Sequence, residues 1–253
     1  LTVLQALLHR LPSANYVYLG DTARLPYGAK SQANVARYAV SSARFLVDQG
    51  AEYLVIACNT ASALALDEIR ATVPIPVLGV IETGANAAQA STQSKDVLVM
   101  ATAATVESHA YAAACRERGL RAFEKACPLL VPLVEEGWID HPVTNQVIDI
   151  YLNELLEDSR RTGLNPDTLV LGCTHYPLLR GNITKKLPPE IRVIDSAEST
   201  AAQVATALDT ARPASPDGQR RFYATDSVEK FQRLGTRFLG EPMDQVELID
   251  LGG

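Results

Sequence analysis

The chain has 253 residues, 47% of them hydrophobic and 21% charged, a composition that excludes a disordered chain and a small disulfide-stapled scaffold. The 23 Lys and Arg against 29 Asp and Glu give a net charge of −6, and no stretch concentrates the positive charge, which argues against nucleic acid as the main partner. The apolar runs are too short to cross a bilayer and no signal segment opens the chain, so we expect a cytoplasmic protein that does not bind membranes.

Short apolar runs alternate with longer helical patterns along the chain, beginning with a helical pattern at Leu1. The predicted strands, in chain order, are Tyr16–Leu19, Tyr53–Ala57, Val77–Val80, Val97–Ala101, Thr168–Gly172, Ile191–Ile194 and Phe222–Ala224. They are almost wholly apolar, as is typical of parallel strands with helices on both faces. The sequence therefore predicts an α/β fold.

Three segments indicate helices between these strands. An apolar face with helical spacing runs from Val35 to Leu46 and is ended by Gly50, and a second strong helix is predicted over Val143–Ser159. Asp226 and Glu229, three residues apart, resemble a capping box for a third. The Pro- and Gly-rich segment Ala211–Arg221 is interpreted as a surface connection.

A weak internal repeat joins two strand ends. The segment 53–60 reads YLVIACNT and the segment 168–175 reads TLVLGCTH, each an apolar strand followed by a cysteine and small polar residues. The two cysteines, Cys58 and Cys173, are separated by about one small domain. Two similar α/β lobes, each with a cysteine at the carboxyl edge of a strand, are the simplest interpretation.

Ligands of open α/β sheets bind beyond the carboxyl ends of the strands, where both cysteines are expected. A helix N-terminus lowers the pKa of a thiol, and His175 lies two residues after Cys173, so reactive thiols are predicted. The donors beside them, Asn59, Thr60 and Thr174, favour a carboxylate ligand.

The alternatives are less specific. A single cysteine after a buried strand is more often a packing residue, but the repeat is hard to explain by packing alone. A disulfide is not expected in the cytoplasm, and the cysteine and histidine spacings do not match a zinc site, so no metal is expected. Cys115 and Cys127 lack polar neighbours and are assigned to packing.

Other polar residues are predicted at the same edge. Tyr27 and Gly28 belong to a turn after the first strand, whose alternative is an ordinary loop. Thr102 and Thr105 follow the strand 97–101 and could cap the next helix or donate to a carboxylate. Glu135 follows an apolar run, and from the residues alone it is best interpreted as a solvated helix end. Glycine-rich dinucleotide and phosphate loops are not found.

Taken together, four motifs closely resemble the glutamate racemases, and the resemblance spans essentially the whole chain. The motifs are CNTAS at 58–62, GCTHYPL at 172–178, DTAR with PYG at 21–28, and CPLLVPLVE at 127–135. The resemblance implies two pseudo-symmetric α/β lobes with the active site in the cleft between them. We expect residues 1–82, completed by 196–253, to form the first lobe and 83–195 the second.

The resemblance also implies a mechanism without a cofactor. Cys58 would act on D-glutamate and Cys173 on L-glutamate, one thiolate removing the α-proton while the other thiol reprotonates the opposite face. Glu135 and His175 would support Cys173. The substrate-binding positions of the family correspond to Tyr27, Gly28, Asn59, Thr60, Thr174 and His175, with Thr102 and Thr105 as added donors. Glutamate is the implied substrate, D-glutamate for peptidoglycan the product, and a homodimer the implied assembly.

The sequence departs from the family at its front. Glutamate racemases begin with a strand and an Asp-Ser-Gly loop that precede a helix like the one at Leu1, and the sequence has no counterpart of either. A chain without them is expected to lose stability and activity, with Cys58 most affected. One alternative is a sibling racemase for aspartate, another amino acid or a hydantoin; a second, which follows from the missing loop, is an impaired protein that binds an amino acid or a macromolecular partner. A cysteine-nucleophile amidohydrolase is disfavoured by the duplicated motif.

Overall fold

The computed structural model describes residues 1–208, 218–243 and 245–252. The strands among them are β1 Tyr16–Gly20, β2 Leu54–Ile56, β3 Val77–Gly79, β4 Asp96–Ala101, β5 Arg121–Ala126, β6 Thr168–Gly172, β7 Arg192–Asp195, β8 Arg220–Ala224 and β9 Val246–Leu248. The helices are α1 Thr2–Arg10, α2 Gln32–Asp48, α3 Asn59–Leu64, α4 Leu66–Thr72, α5 Val80–Ser91, α6 Ala103–Glu107, α7 Ala110–Glu117, α8 Leu130–Glu135, α9 Pro142–Arg161, α10 Arg180–Thr184, α11 Ala197–Leu208 and α12 Val228–Leu239.

All pairings between these strands are parallel, and they form three sheets. A four-stranded sheet has the order β5-β4-β6-β7, while β1-β8-β9 and β2-β3 form smaller sheets of their own. The central strands β4 and β6 are buried along their whole length because helices cover both faces. The α/β prediction is therefore confirmed, as is each of the seven predicted strands, within two residues at either end.

The first helix, α1, connects the two smaller sheets. Its residues Val3 and Leu7 pack with Leu78 of β3, while Leu4 and Leu8 on another face pack with Phe222 of β8. A helix with two apolar faces can bury both against neighbouring layers. The helical pattern at the start of the sequence thus has a structural role in the core.

Two local expectations differ from the structure. Asp226 does not cap α12; the N-cap is Ser227 in a left-handed conformation, and the Asp226 carboxylate accepts the N–H of Ser227 instead. The turn at Ser227 moves the helix start one residue on, so the capping-box geometry is lost. Most of the predicted surface connection at Ala211–Arg221 lies outside the described residues, and Arg220 and Arg221 belong to β8.

Across the described residues, the helices are too short or too polar to span a membrane.

Candidate active site

Cys58 lies where β2 ends and α3 begins, as the repeat predicts. It occupies the N-cap position of α3, and its Sγ accepts the backbone N–H of Ala61 at 3.5 Å. Burial raises the pKa of the Cys58 thiol, and the opposing hydrogen bonds from Ala61 and Thr60 are too weak to reverse this. A single N-terminal turn of helix therefore does not make Cys58 a thiolate in the unliganded protein.

Asn59 follows Cys58 and is almost fully buried. Its Oδ1 accepts the hydroxyl of Tyr111 at 2.7 Å. Among the residues that the structure describes, its Nδ2 is the one buried side-chain nitrogen or oxygen without a hydrogen-bond partner. A buried amide donor left open is costly, so the site is suited to a ligand that supplies an acceptor there.

A hydroxyl cluster, made by Thr60, Thr102 and Thr105, lies beside Asn59. The three Oγ1 atoms are 2.9 Å apart for Thr60 and Thr102, 2.9 Å for Thr102 and Thr105, and 3.2 Å for Thr60 and Thr105. Thr102 stands at the N-cap of α6, but its side chain makes no capping hydrogen bond. The capping alternative is therefore wrong for Thr102, because its hydroxyl bonds to the two other threonines.

The turn that carries Tyr27 and Gly28 lies against the hydroxyl cluster. A Cβ placed on Gly28 would lie 2.6 Å from the Cβ of Thr102, so only glycine fits at this contact. The Tyr27 hydroxyl donates to the Asp21 carboxylate, which also accepts Arg24 Nε at 2.8 Å and Thr225 Oγ1 at 3.0 Å. The turn is thus a fixed wall of the site rather than an ordinary loop.

Cys173 follows β6 and stands at the second strand end of the repeat. Its Sγ lies 3.7 Å from Nδ1 of His175, and Nε2 of the same ring lies 3.3 Å from Oε1 of Glu135. The hydrogen bond from His175 lowers the pKa of Glu135. Glu135, at the end of α8, is therefore an ionised partner of His175, and its interpretation as a solvated helix end is wrong.

Burial and the charge of Cys58 both affect the ionisation of Cys173. Burial raises the pKa of Cys173 to about 12, the N–H groups of His175 and Tyr176 oppose this, and charge on Cys58 raises it further. The prediction that the helix N-termini lower both thiol pKa values is wrong, because desolvation outweighs the few N–H groups available. The raised pKa values favour the protonated form of both thiols at neutral pH.

The remaining candidate residues make no side-chain contact with either strand-end cysteine among the described hydrogen bonds. The carbonyl of Thr174 accepts the hydroxyl of Thr2 at 3.3 Å, so this residue is tied to α1 through its backbone. Cys115 and Cys127 are fully buried in core clusters, as their assignment to packing predicts. All four cysteines are free thiols. The described parts of the chain hold no group of three or more His, Cys, Asp or Glu side chains that could bind a metal ion.

Sequence reasoning missed two tyrosines at this site. The ring of Tyr111 fills the space where a Cβ on Gly172 would come within 2.9 Å, and its hydroxyl bonds Asn59, so it spans the neighbours of both cysteines. Tyr18 lies close enough to Cys58 that charge on the thiol adds to the effect of burial in raising the pKa of Tyr18. Each tyrosine lies in an apolar segment whose pattern gives no sign of a site.

Comparisons with known proteins agree with this arrangement. The pattern of the Asp/Glu/Hydantoin racemase family matches residues 2–204. A glutamate racemase of Koribacter versatilis (strain Ellin345) is 50% identical, covering 100% of this chain and 94% of the relative. A solved glutamate racemase isoform from Bacillus anthracis has a TM-score of 0.89 and 35% identity, covering 99% of this chain and 93% of the other. One from Francisella tularensis, in complex with D-glutamate, has a TM-score of 0.88 and 33% identity over the same shares. The chain, with its two strand-end cysteines, belongs to the Asp/Glu/Hydantoin racemase family.

Proposed function

We propose that the protein is a glutamate racemase that interconverts L- and D-glutamate without a cofactor and supplies D-glutamate for peptidoglycan. The observation that carries this proposal is the pair of free thiols, the half-buried Cys58 and the buried Cys173, each at the carboxyl end of a parallel strand and close enough that charge on Cys58 raises the pKa of Cys173. Racemisation requires two proton-transfer groups on opposite faces of the α-carbon, and two such strand ends can supply them. The glutamate racemases similar to this chain support glutamate as the substrate.

The proposed reaction moves one proton at each face. The Cys173 thiolate removes the α-proton of L-glutamate and becomes a thiol, and the Cys58 thiol gives its proton to the other face of the carbanion and becomes a thiolate. D-glutamate is converted by the same steps in reverse, with Cys58 as the base. Since burial raises the pKa of both thiols, the ammonium group of the bound substrate is needed to favour a thiolate beside it.

Neutral donors bind the substrate's carboxylates in this proposal. The open Nδ2 of Asn59 is one donor, and the hydroxyl cluster beside it supplies others. The turn at Tyr27 and Gly28 forms one wall, and the strand end at Thr174 and His175 forms another. Such fixed donors stabilise the charge that develops on the carboxylate when the α-proton leaves.

The test is a circular dichroism assay that starts from L- and from D-glutamate, without added cofactor. We expect Cys58→Ala and Cys173→Ala each to lower kcat/KM by about 10²- to 10⁴-fold, the usual contribution of a positioned acid or base. Because the equilibrium constant of racemisation is one, each variant must lose kcat/KM equally for both isomers. Solvent deuterium should enter the α-position of the product during turnover.

Cys115→Ala is the matched control, since Cys115 is a buried thiol in another core cluster. It should keep the activity of the wild type. Full activity in either Cys58→Ala or Cys173→Ala contradicts the two-thiol mechanism. The same assay with aspartate and with a hydantoin tests the sibling activities, and binding of glutamate without turnover would identify an impaired protein.

We further propose the lobe boundaries 1–82 with 196–253, and 83–195. Two core clusters support them, because all their buried members except Ile81 and Phe238 lie within 83–195. Two other clusters combine residues from 1–80 with residues from 197–246, and a third lies wholly within 27–77. The cleft between the lobes would then hold both cysteines.

A homodimer in the cytoplasm completes the proposal. Val143 and Ile150 are exposed on one face of α9, and Trp138 and Leu129 are exposed nearby, an apolar surface suited to a second copy. Light scattering of the purified protein measures the oligomeric state, and a monomer at micromolar concentration contradicts the homodimer. The free state of all four thiols fits a reducing compartment.

A further inference from the structure

Lys230 on α12 approaches the side chains that support Cys173. Its Nζ lies 3.9 Å from Oε2 of Glu135 and 3.7 Å from Oε1 of Glu136. The other carboxylate oxygen of Glu135 faces Nε2 of His175, whose Nδ1 faces the thiol of Cys173. A continuous series of polar contacts therefore runs from Lys230 to the reacting sulfur.

The position of Lys230 is fixed by the packing of its helix. Phe238, two turns further along α12, sets its ring edge-on to His175, with 5.7 Å between the ring centres and 90° between their planes. Arg237 lies against the turn after α8, where a Cβ on Gly137 would come within 2.6 Å of Nη1. Since α12 contacts both the histidine and the turn beside Glu135, its backbone places the partly exposed Lys230 side chain within reach of the carboxylate.

A carboxylate beside one ring nitrogen favours a proton on that nitrogen, and Glu135 faces Nε2 of His175. When Nε2–H donates to Glu135, Nδ1 keeps its lone pair and can accept the proton of the Cys173 thiol. The Glu135 side chain is one-fifth exposed, so water competes for it. Its second oxygen has Lys230 as a cationic neighbour, which opposes rotation of the carboxylate away from the ring.

The charged and titratable groups around this point come from several elements. Lys230 approaches Glu135 from α12, whose Arg237 lies against Gly137, while Glu136 adjoins Glu135 at the end of α8 and Cys173 follows β6. Cys58, at the end of β2, also affects this point, because charge on its thiol raises the pKa of Cys173. Among the described residues, two basic side chains lie within 4 Å of Glu135, and these are His175 and Lys230.

We propose that Lys230 is a positioning residue for the Cys173 half of the reaction, an inference that rests on the proposed racemase function. It holds Glu135 against His175, so that Nδ1 takes the proton of the Cys173 thiol and leaves a thiolate and an imidazolium. The thiolate then removes the α-proton of L-glutamate. In the reverse direction Cys173 donates its proton to the carbanion and regains one from His175.

The test compares Lys230→Met and Lys230→Arg with the wild type. We expect Lys230→Met to lower kcat/KM by about 3- to 10-fold for both isomers, as for the loss of one member of a coupled network. Kinetic isotope effects with α-deuterated substrates show whether proton transfer at Cys173 or at Cys58 is slowed. With L-glutamate the isotope effect on kcat/KM should rise, because proton transfer at Cys173 becomes more rate-limiting, and with D-glutamate it should fall. Lys230→Arg should restore the wild-type values.

The matched control is Lys186→Met, which removes a lysine paired with Asp149 at 2.7 Å, outside the series of contacts to Cys173. It should leave the rate and both isotope effects unchanged. Unchanged isotope effects in Lys230→Met overturn the proposal, including the case in which only the thermal stability falls, since that result means a purely structural role.

Alkylation provides a readout that does not require turnover. In a Cys58→Ser background, the rate at which iodoacetamide modifies Cys173 should be lower with Lys230→Met than with Lys230 or Lys230→Arg at pH 8. Equal rates overturn the proposal. If the two-thiol racemase mechanism fails but Lys230→Met still slows alkylation, the link from Lys230 to Cys173 stands without that reaction, so the two failures are distinguishable.

Discussion

Gly28 has no room for a side chain, and this gives a prediction at the scale of one residue. In Gly28→Ala the new Cβ must displace Thr102, whose Cβ it would approach to 2.6 Å, and so disturb the hydroxyl cluster. We expect kcat/KM for both isomers of glutamate to fall by about 10- to 100-fold, since a displacement near 1 Å is enough for such a loss. The circular dichroism assay measures it.

Gly181→Ala serves as the control for this change. Gly181 lies in α10, and a Cβ there meets no atom within 4 Å. Its activity should equal that of the wild type, and its stability should rise by about 0.5–1 kcal/mol, the usual gain for alanine over glycine in a helix. Wild-type activity in Gly28→Ala would show that the contact with Thr102 is unimportant for catalysis.

The residues of the candidate site were predictable from the sequence to the extent that they are close in the chain. Cys58 with Asn59 and Thr60, and Cys173 with His175, follow from the two strand ends. The raised thiol pKa values do not, because burial is a property of the packed fold and outweighs the helix ends. The role of Tyr111 could not be predicted for a similar reason, since its partner Asn59 is 52 residues away in the sequence.

Asp167 connects the turn before β4 to the start of β6, and its effect belongs to the scale of elements. Its carboxylate accepts Oγ1 of Thr92 at 2.5 Å and the N–H groups of Gln93 at 2.7 Å and Ser94 at 2.9 Å. Burial opposes its ionisation, but these hydrogen bonds outweigh burial and lower the pKa of Asp167 to about 2.

We therefore expect Asp167→Asn to lower the free energy of unfolding by about 1–3 kcal/mol at pH 7, because hydrogen bonds to a charged acceptor are lost. The folded pKa lies below the unfolded value of about 3.9, so the wild type keeps this contribution above pH 4 and loses it as the pH falls through about 2. Urea unfolding at several pH values measures the difference.

Asp140→Asn, at an exposed position, is the control and should leave the unfolding midpoint unchanged at every pH. A constant difference between Asp167→Asn and the wild type from pH 7 to pH 2 would contradict the charge-based account. The result would then reflect packing of the turn alone.

Elements were predictable where burial makes them apolar. The fully buried strands β4 and β6 are plain in the sequence, whereas β5 was missed because Arg121, Glu124 and Lys125 give it a polar pattern. That pattern has a physical reason: β5 is an edge strand, and Glu124 turns back to accept the N–H of Ala112. The strand β9 was missed since it is short and largely exposed.

At the scale of the whole molecule, the buried thiols make the fold sensitive to alkali. Burial raises the pKa of Cys115 to about 11 and that of Cys173 to about 12, against about 8.5 for an unfolded cysteine. Above pH 8.5 the unfolded chain loses these protons while the folded chain keeps them, so stability falls as the pH rises. Each such thiol contributes up to about 1.4 kcal/mol per pH unit.

Cys115→Ala isolates one of these contributions. Its free energy of unfolding, measured in urea between pH 9 and pH 10.5, should fall less steeply than that of the wild type by about 1 kcal/mol per pH unit. Val106→Ala, which alters the same core cluster without removing a titrating group, should keep the wild-type slope. Equal slopes for Cys115→Ala and the wild type contradict the prediction.

The arrangement of the whole molecule was only partly predictable. The alternation of strands and helices predicts the α/β class and parallel sheets, and the family resemblance adds the expectation of two lobes. The division of the strands into three sheets could not be predicted, because it depends on which strand edges meet, and α1 packs against two of those sheets through different faces. The lobe boundaries stay a prediction.

The hydrogen bonds within the hydroxyl cluster affect how readily it binds a carboxylate or an ammonium group. Each of its three hydroxyls has one proton to donate, and Thr60 also has the Cys58 thiol as a partner, so a closed ring forms only when Thr60 donates within the cluster, and it then uses all three protons. A carboxylate can gain a hydrogen bond from this ring only if one internal bond opens, at about 1 kcal/mol. An ammonium group meets free lone pairs and leaves the ring closed. The same three oxygens can thus accept an ammonium group with the ring closed, or donate to a carboxylate with one internal hydrogen bond open.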